Sequence, residues 1–200
     1  MSALGLDAIE AGCAVSPIVL LDFDGVLNSA SWRAATVAMF PGARSWSPAL
    51  GVAMLDPVRV ARVQRICDAA SARVVIVSGW RRWAPVDVLA ECLRAAGLTA
   101  PVIDAVGGLK MSGDLRQSAT HEWLRAHPEV TSWVVIDDDR DAWATQRNVE
   151  REEMRDGRRV RVHACETTTP PWLAGRLVCP IDGITDADAD AALAALRGAT

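Results

Sequence analysis

Three short runs in this 200-residue chain are apolar at almost every position: Ile18–Leu21, Arg73–Val77 after its opening arginine, and Trp133–Ile136. A strand with one wet face alternates apolar and polar residues. Runs without that alternation predict strands covered on both faces. Their length and their Val and Ile content favour strands over buried helix segments. Pro101–Ile103, Arg159–His163 and Leu177–Val178 are further candidates. Helical patterns lie between them. Asp56–Ala72 opens on an aspartate N-cap with proline at the first helical position. Pro85–Ala96 stops before Gly97, and Leu115–Ala126 stops before Pro128. Thr185–Arg197 opens close to a capping box. Strand and helix alternate, so the expected class is α/β: a central, mostly parallel sheet with helices on both faces, Rossmann-like in outline. Residues 28–55 break the alternation and are expected to form a small cap or lid insertion after the first strand, within one domain spanning residues 1–200. The densely charged stretch Arg147–Arg161 reads as a solvated helix end and loop.

Two of the apolar runs end in carboxylates and the third in a hydroxyl. After Ile18–Leu21 come Asp22, Phe23, Asp24 and Gly25. Alternate side chains of a strand share a face, and close carboxylates are costly without a cation between them. The economical reading is a magnesium site at the end of a central strand, with Asp22 free to attack phosphorus. Asp24, two residues on, can protonate the leaving oxygen and then deprotonate water. A calcium loop starting at Asp22 would need a glutamate at its twelfth position, where Arg33 stands. After the second run, the Ser78 hydroxyl can donate to a phosphate oxygen, Gly79 lets backbone approach, and Arg81 or Arg82 can neutralise phosphate charge. Asp137-Asp138-Asp139 follow the third run and repel one another unless a metal or cation intervenes. A helix N-terminus accounts for Asp139 and Asp141 but poorly for Asp137 and Asp138. The balancing cation is Arg116 at a helix start or Lys110 in the Gly107-Gly108 loop; the local sequence leaves both open.

Bulk numbers exclude little else. A net charge of −4 gives no drive toward nucleic acid or anionic membrane as a whole. The five cysteines form no CxxC pair, which fits reduced thiols. The N-terminus has no basic start and no long apolar stretch, so no membrane association and a cytoplasmic location are expected. Phosphate-loop and dinucleotide fingerprints are absent.

Taken in order, these motifs resemble the haloacid dehalogenase (HAD) superfamily in its phosphatase branch. Asp22-Phe-Asp24-Gly25 is similar to its first motif, Ser78 to the second, Arg116 or Lys110 to the third, and Asp137-Asp138 to the fourth. Val-Ser-Gly-Trp-Arg, Arg116 before His121-Glu122-Trp123-Leu124, and Gly183-Ile184-Thr185 further resemble the small HAD domains of bacterial RNA-repair (Swiss Army Knife) proteins. The resemblance implies a Mg²⁺-dependent phosphomonoester hydrolase working through an aspartyl-phosphate on Asp22. Asp24 would be acid/base, and Asp22, the Asp24 carbonyl and Asp138 or Asp137 would hold Mg²⁺. That fourth-motif register stays open: Asp137 plus four is Asp141, whereas Asp138 plus four is Ala142. Gly25, Gly79, Trp80 and Arg81 would contact substrate, a phosphorylated small molecule or a nucleic acid end, with no obligate protein partner. Trp32, Trp46, Trp80 and Trp83 could stack bases. The rival readings are a non-catalytic phosphate- or Mg²⁺-binding module, and a phosphotransferase to an acceptor other than water.

Overall fold

A computed structural model describes residues 15–40, 45–106, 116–155 and 158–198. Its central sheet has five parallel strands in the order β3-β2-β1-β4-β7. These are β1 (Ile18–Leu21), β2 (Arg73–Ile76), β3 (Val102–Ala105), β4 (Trp133–Ile136) and β7 (Leu177–Val178). β1 lies at the centre, and the chain order reverses beside it, so its carboxyl end opens onto the crevice where such sheets bind ligands.

The lack of alternation in the strands has the expected cause. Every residue of β1 and β4 is buried. Val19, Leu21, Val74, Ile76, Val134 and Ile136 face one core layer, which three helices cover. These are α3 (Pro57–Ala70), α4 (Val86–Ala95) and α6 (Asp186–Arg197). Ile18, Leu20, Val75, Trp133 and Val135 face the other, which is closed by Trp143, Leu173, Trp172 and α5 (Arg116–Ala126).

Helix ends follow local chemistry. Asp56 accepts from the Val58 N–H ahead of Pro57, and Thr185 and Asp188 form a reciprocal capping box. Gly97, at φ +110°, follows the Ala96 C-cap of α4.

One stretch resolves into internal structure and another departs from expectation. The insertion, which lacks one continuous periodicity, holds two short helices, α1 (Ala30–Met39) and α2 (Pro48–Met54), each with its own serine cap. Trp32 Nε1 and Thr36 Oγ1 of α1 both donate to the Ala53 carbonyl of α2, at 3.0 and 3.1 Å. Trp32 therefore ties the two helices together. The charged stretch 147–161 is not a helix end. It belongs to an antiparallel pair, β5 (Thr145–Arg155) and β6 (Arg158–Thr168). Gln, Glu, Arg and Met in β5 carry high helix propensity, but pairing along the whole strand overrides that weak preference. Diagonal ion pairs Arg159–Glu152 and Arg161–Glu150 line the ladder.

Among the described residues no helix is long and apolar enough to cross a membrane. Cys67, Cys92 and Cys179 are free thiols. Burial, with Asp68 beside it, pushes the Cys67 thiol up to about 12.

Candidate active site

Parallel strands in register deliver their last side chains to one edge. Leu21 pairs with Ile76 on one side and Ile136 on the other, so Asp22, Ser78 and Asp137 emerge together from β1, β2 and β4. Asp22 is 3% exposed, and Ser78 and Asp137 are fully buried. Carboxylate oxygens of Asp22, Asp137 and Asp138 lie within 4.8 Å of one another.

The positive charge comes from Arg116, the first residue of α5. Its Nη1 lies 3.5 Å from Asp22 Oδ2 and also bonds Asp137 Oδ2. Lys110 falls outside the described residues. Arg81, 8% exposed, donates from Nε to the Ser78 carbonyl at 2.8 Å. Burial and the nearby Arg116 charge lower its guanidinium, while Asp22 pulls it upward.

Charge balance at the site is incomplete. Burial, then the Asp137 charge, pushes Asp22 well above the usual carboxylate range; Arg116, the Ser78 hydroxyl and the Phe23 amide offset only part of it. Burial likewise raises Asp137, against the pull of Arg116, the Asp139 amide and Trp143. Asp138 is raised by burial and by Asp137 beside it. Burial lowers Arg116, but Asp22 and Asp137 outweigh it and hold the guanidinium charged. Three oxygen-donor groups gathered against their own repulsion suit a hard divalent cation such as Mg²⁺.

The two fourth-motif aspartates have different surroundings. Asp137 is committed to protein donors: Arg116, Trp143 Nε1 at 2.7 Å and the Asp139 amide at 2.9 Å. Asp138 turns back over the first-motif loop. A Cβ on Gly25 would lie 1.9 Å from Asp138 Oδ2, and Gly25 also has φ +71°. Glycine at 25 is thus what admits the Asp138 carboxylate. Asp139 caps the following turn by accepting from the Ala142 amide, and Asp141 is exposed in that turn.

Asp24, three residues past the end of β1, has its own set of donors. Trp80 Nε1 donates to its Oδ2 at 2.8 Å, and Asn28 Nδ2 to its Oδ1 at 3.2 Å. Asn28 Oδ1 in turn accepts from the Gly25 amide. Trp80 packs edge-on to Phe23, with centroids 5.3 Å apart. It is a buried brace for Asp24, so its ring is not an open stacking face. A Cβ at Gly79 would meet nothing within 4 Å, and no described neighbour demands glycine there.

Motif reading gives no role to Trp143 or to the Asn28 side chain, and takes Gly183-Ile184-Thr185 before α6 as a resemblance without a role. In that segment Gly183 and Ile184 donate backbone N–H groups to the Gly25 and Val26 carbonyls at 2.7 and 2.9 Å. Asp182 Oδ1 accepts from Ala30 N at the start of α1. These roles have no local signal, because each partner is remote in sequence or set by the fold of a turn.

A sheet of this order, with an aspartate at the end of its central strand and acidic groups from the next, is the framework of HAD-type phosphoryl transfer. The family model described as the HAD domain in Swiss Army Knife RNA repair proteins matches residues 18–164, and the chain belongs to that family. No curated protein and no solved structure matches the chain.

Proposed function

We propose that the chain is a Mg²⁺-dependent phosphomonoester hydrolase. The observation that carries this reading is Asp22: one buried carboxylate meets the Ser78 hydroxyl, the Arg116 guanidinium and two further carboxylates. Mg²⁺ would be held by Asp22, Asp138 and the Asp24 carbonyl, and when bound would offset phosphate charge against the acidic cluster.

An Asp22 oxygen attacks phosphorus, and the bond from phosphorus to the leaving oxygen breaks. That oxygen takes the proton of the Asp24 carboxyl group. The Asp24 carboxylate then removes a proton from water, whose oxygen attacks the aspartyl-phosphate. The bond from phosphorus to Asp22 breaks, releasing inorganic phosphate and restoring both side chains. Trp80 and Asn28 fix the orientation of Asp24, and Arg116 and Ser78 hold Asp22 and the phosphate oxygens. Substrates of this reading are phosphorylated small molecules or nucleic acid ends. Residues 28–55 act as a small cap within one domain.

Phosphate release from an aryl phosphate tests it. Asp22→Asn lowers Mg²⁺-dependent turnover roughly a thousandfold or more, as for loss of a nucleophile. Full turnover by that variant rules the reading out.

A further inference from the structure

A cleft of about 620 Å³ lies between the two insertion helices and the turn after β2. Its volume is in the range of small-ligand sites. Asp24 forms part of its wall. In the proposed reaction Asp24 protonates the leaving oxygen, so the leaving group departs on this side.

The rest of the wall is mostly apolar. Val37, Leu50 and Met54 come from α1 and α2, and Trp46, Trp80 and Trp83 supply indoles; among the described residues only Asp24, Arg33 and Ser45 are polar. The rings are not equivalent. Trp80 is held by Asp24 and Phe23. Trp46 lies against Gly51, where a Cβ would come within 2.9 Å of its Cζ2, so glycine seats the ring. Trp83 is 58% exposed at the lip, with its ring centroid 6.4 Å from that of Trp80. A polyol entering this cleft would leave hydroxyls without partners. A flat ring covers apolar wall and stacks on Trp83. Arg33, half exposed and 3.8 Å from Asp24 Oδ1, can meet a further anionic group of the same substrate.

We infer that this cleft is the leaving-group subsite and selects phosphate monoesters whose leaving group carries a planar ring, such as a nucleobase, with Trp83 as the specificity residue. The inference rests on the hydrolase reading and names its substrate class. The test compares kcat/KM for 5′- and 3′-nucleoside monophosphates, free and at the ends of short oligonucleotides, with ribose 5-phosphate and glycerol 3-phosphate. Esters bearing a nucleobase exceed those without a planar ring by about tenfold or more, the scale of one stacked base. Trp83→Ala brings that ratio toward unity, and Trp83→Phe keeps most of it. The free and strand-end arms identify which source of the ring is preferred. Calorimetric binding of a nucleoside monophosphate and of ribose 5-phosphate to Asp22→Asn repeats the comparison without turnover. Equal kcat/KM for the two ester classes, equal binding of both ligands, or a ratio untouched by Trp83→Ala overturns the subsite. Turnover surviving in Asp22→Asn overturns the hydrolase reading instead, leaving the binding comparison to judge the cleft.

Discussion

Asp137 and Asp138 are neighbours with different work. Asp137 is fully buried and spends its oxygens on Arg116, Trp143 and the Asp139 amide. Asp138 reaches over Gly25 toward Asp22. Removing them separates structure from metal binding. Asp137→Ala takes from Arg116 the nearer of its two carboxylates and from the Trp143 indole N–H its acceptor, and costs about 3 kcal/mol of stability in denaturant titration. Asp138→Ala keeps the fold and raises the Mg²⁺ concentration for half-maximal turnover about tenfold or more. Gly25→Ala does both: a left-handed alanine costs about 1–2 kcal/mol, and its methyl displaces the Asp138 carboxylate. Turnover falls about a hundredfold for a displacement of that order. Sequence alone left the pair unresolved because the choice depends on Arg116 and Trp143, which the fold brings in from elsewhere. Asp22, Asp24 and Ser78 were legible because each ends, or closely follows, an apolar run.

Elements were legible where local chemistry and tertiary demand agree. The Asp56-Pro57 start and the Thr185-Asp188 capping box set α3 and α6 without help from elsewhere. β5 and β6 were not, because a charged, helix-favouring composition there is governed by cross-strand pairing. The segment before α6 gives a test at this scale. It lies beyond the family match, which ends at residue 164, yet its backbone supports the Gly25–Val26 loop and Asp182 accepts from Ala30 at the start of α1. Asp182→Ala lowers stability by about 1 kcal/mol, the scale of a lost cap. Ending the chain at residue 164 removes β7 and α6, whose Ala189, Ala192, Leu193 and Leu196 are buried in the core. Such a chain loses its cooperative thermal transition in calorimetry.

The whole molecule carries a charge conflict at the centre of its sheet. Asp22, Asp137 and Asp138 all have carboxyl groups raised above the ordinary range, each chiefly by burial. The folded state therefore holds protons that the unfolded chain has released. Between the ordinary carboxylate range and the raised values, stability falls as pH rises. In chelator, the contribution of these groups to Tm thus falls as pH rises through that window, read as the difference between the thermal melts of the wild type and of Asp138→Ala. Mg²⁺ restores it, more at pH 7 than at about pH 5, because binding needs the ionised carboxylates. A difference that rises over this window in chelator, or a Mg²⁺ effect independent of pH, contradicts the assignment.

The most direct test asks where the phosphoryl group goes. With Asp24→Asn and an aryl phosphate whose phenolate departs without a proton, Asp22 still attacks while activation of water is impaired, so the substrate and Mg²⁺ load the enzyme. Borohydride reduces an aspartyl-phosphate to homoserine, which mass spectrometry locates in the peptide carrying the Asp-Phe-Asp-Gly motif. Homoserine is expected in place of Asp22. Its absence there, in a protein that releases phosphate as the wild type, would contradict the claim that Asp22 is the nucleophile.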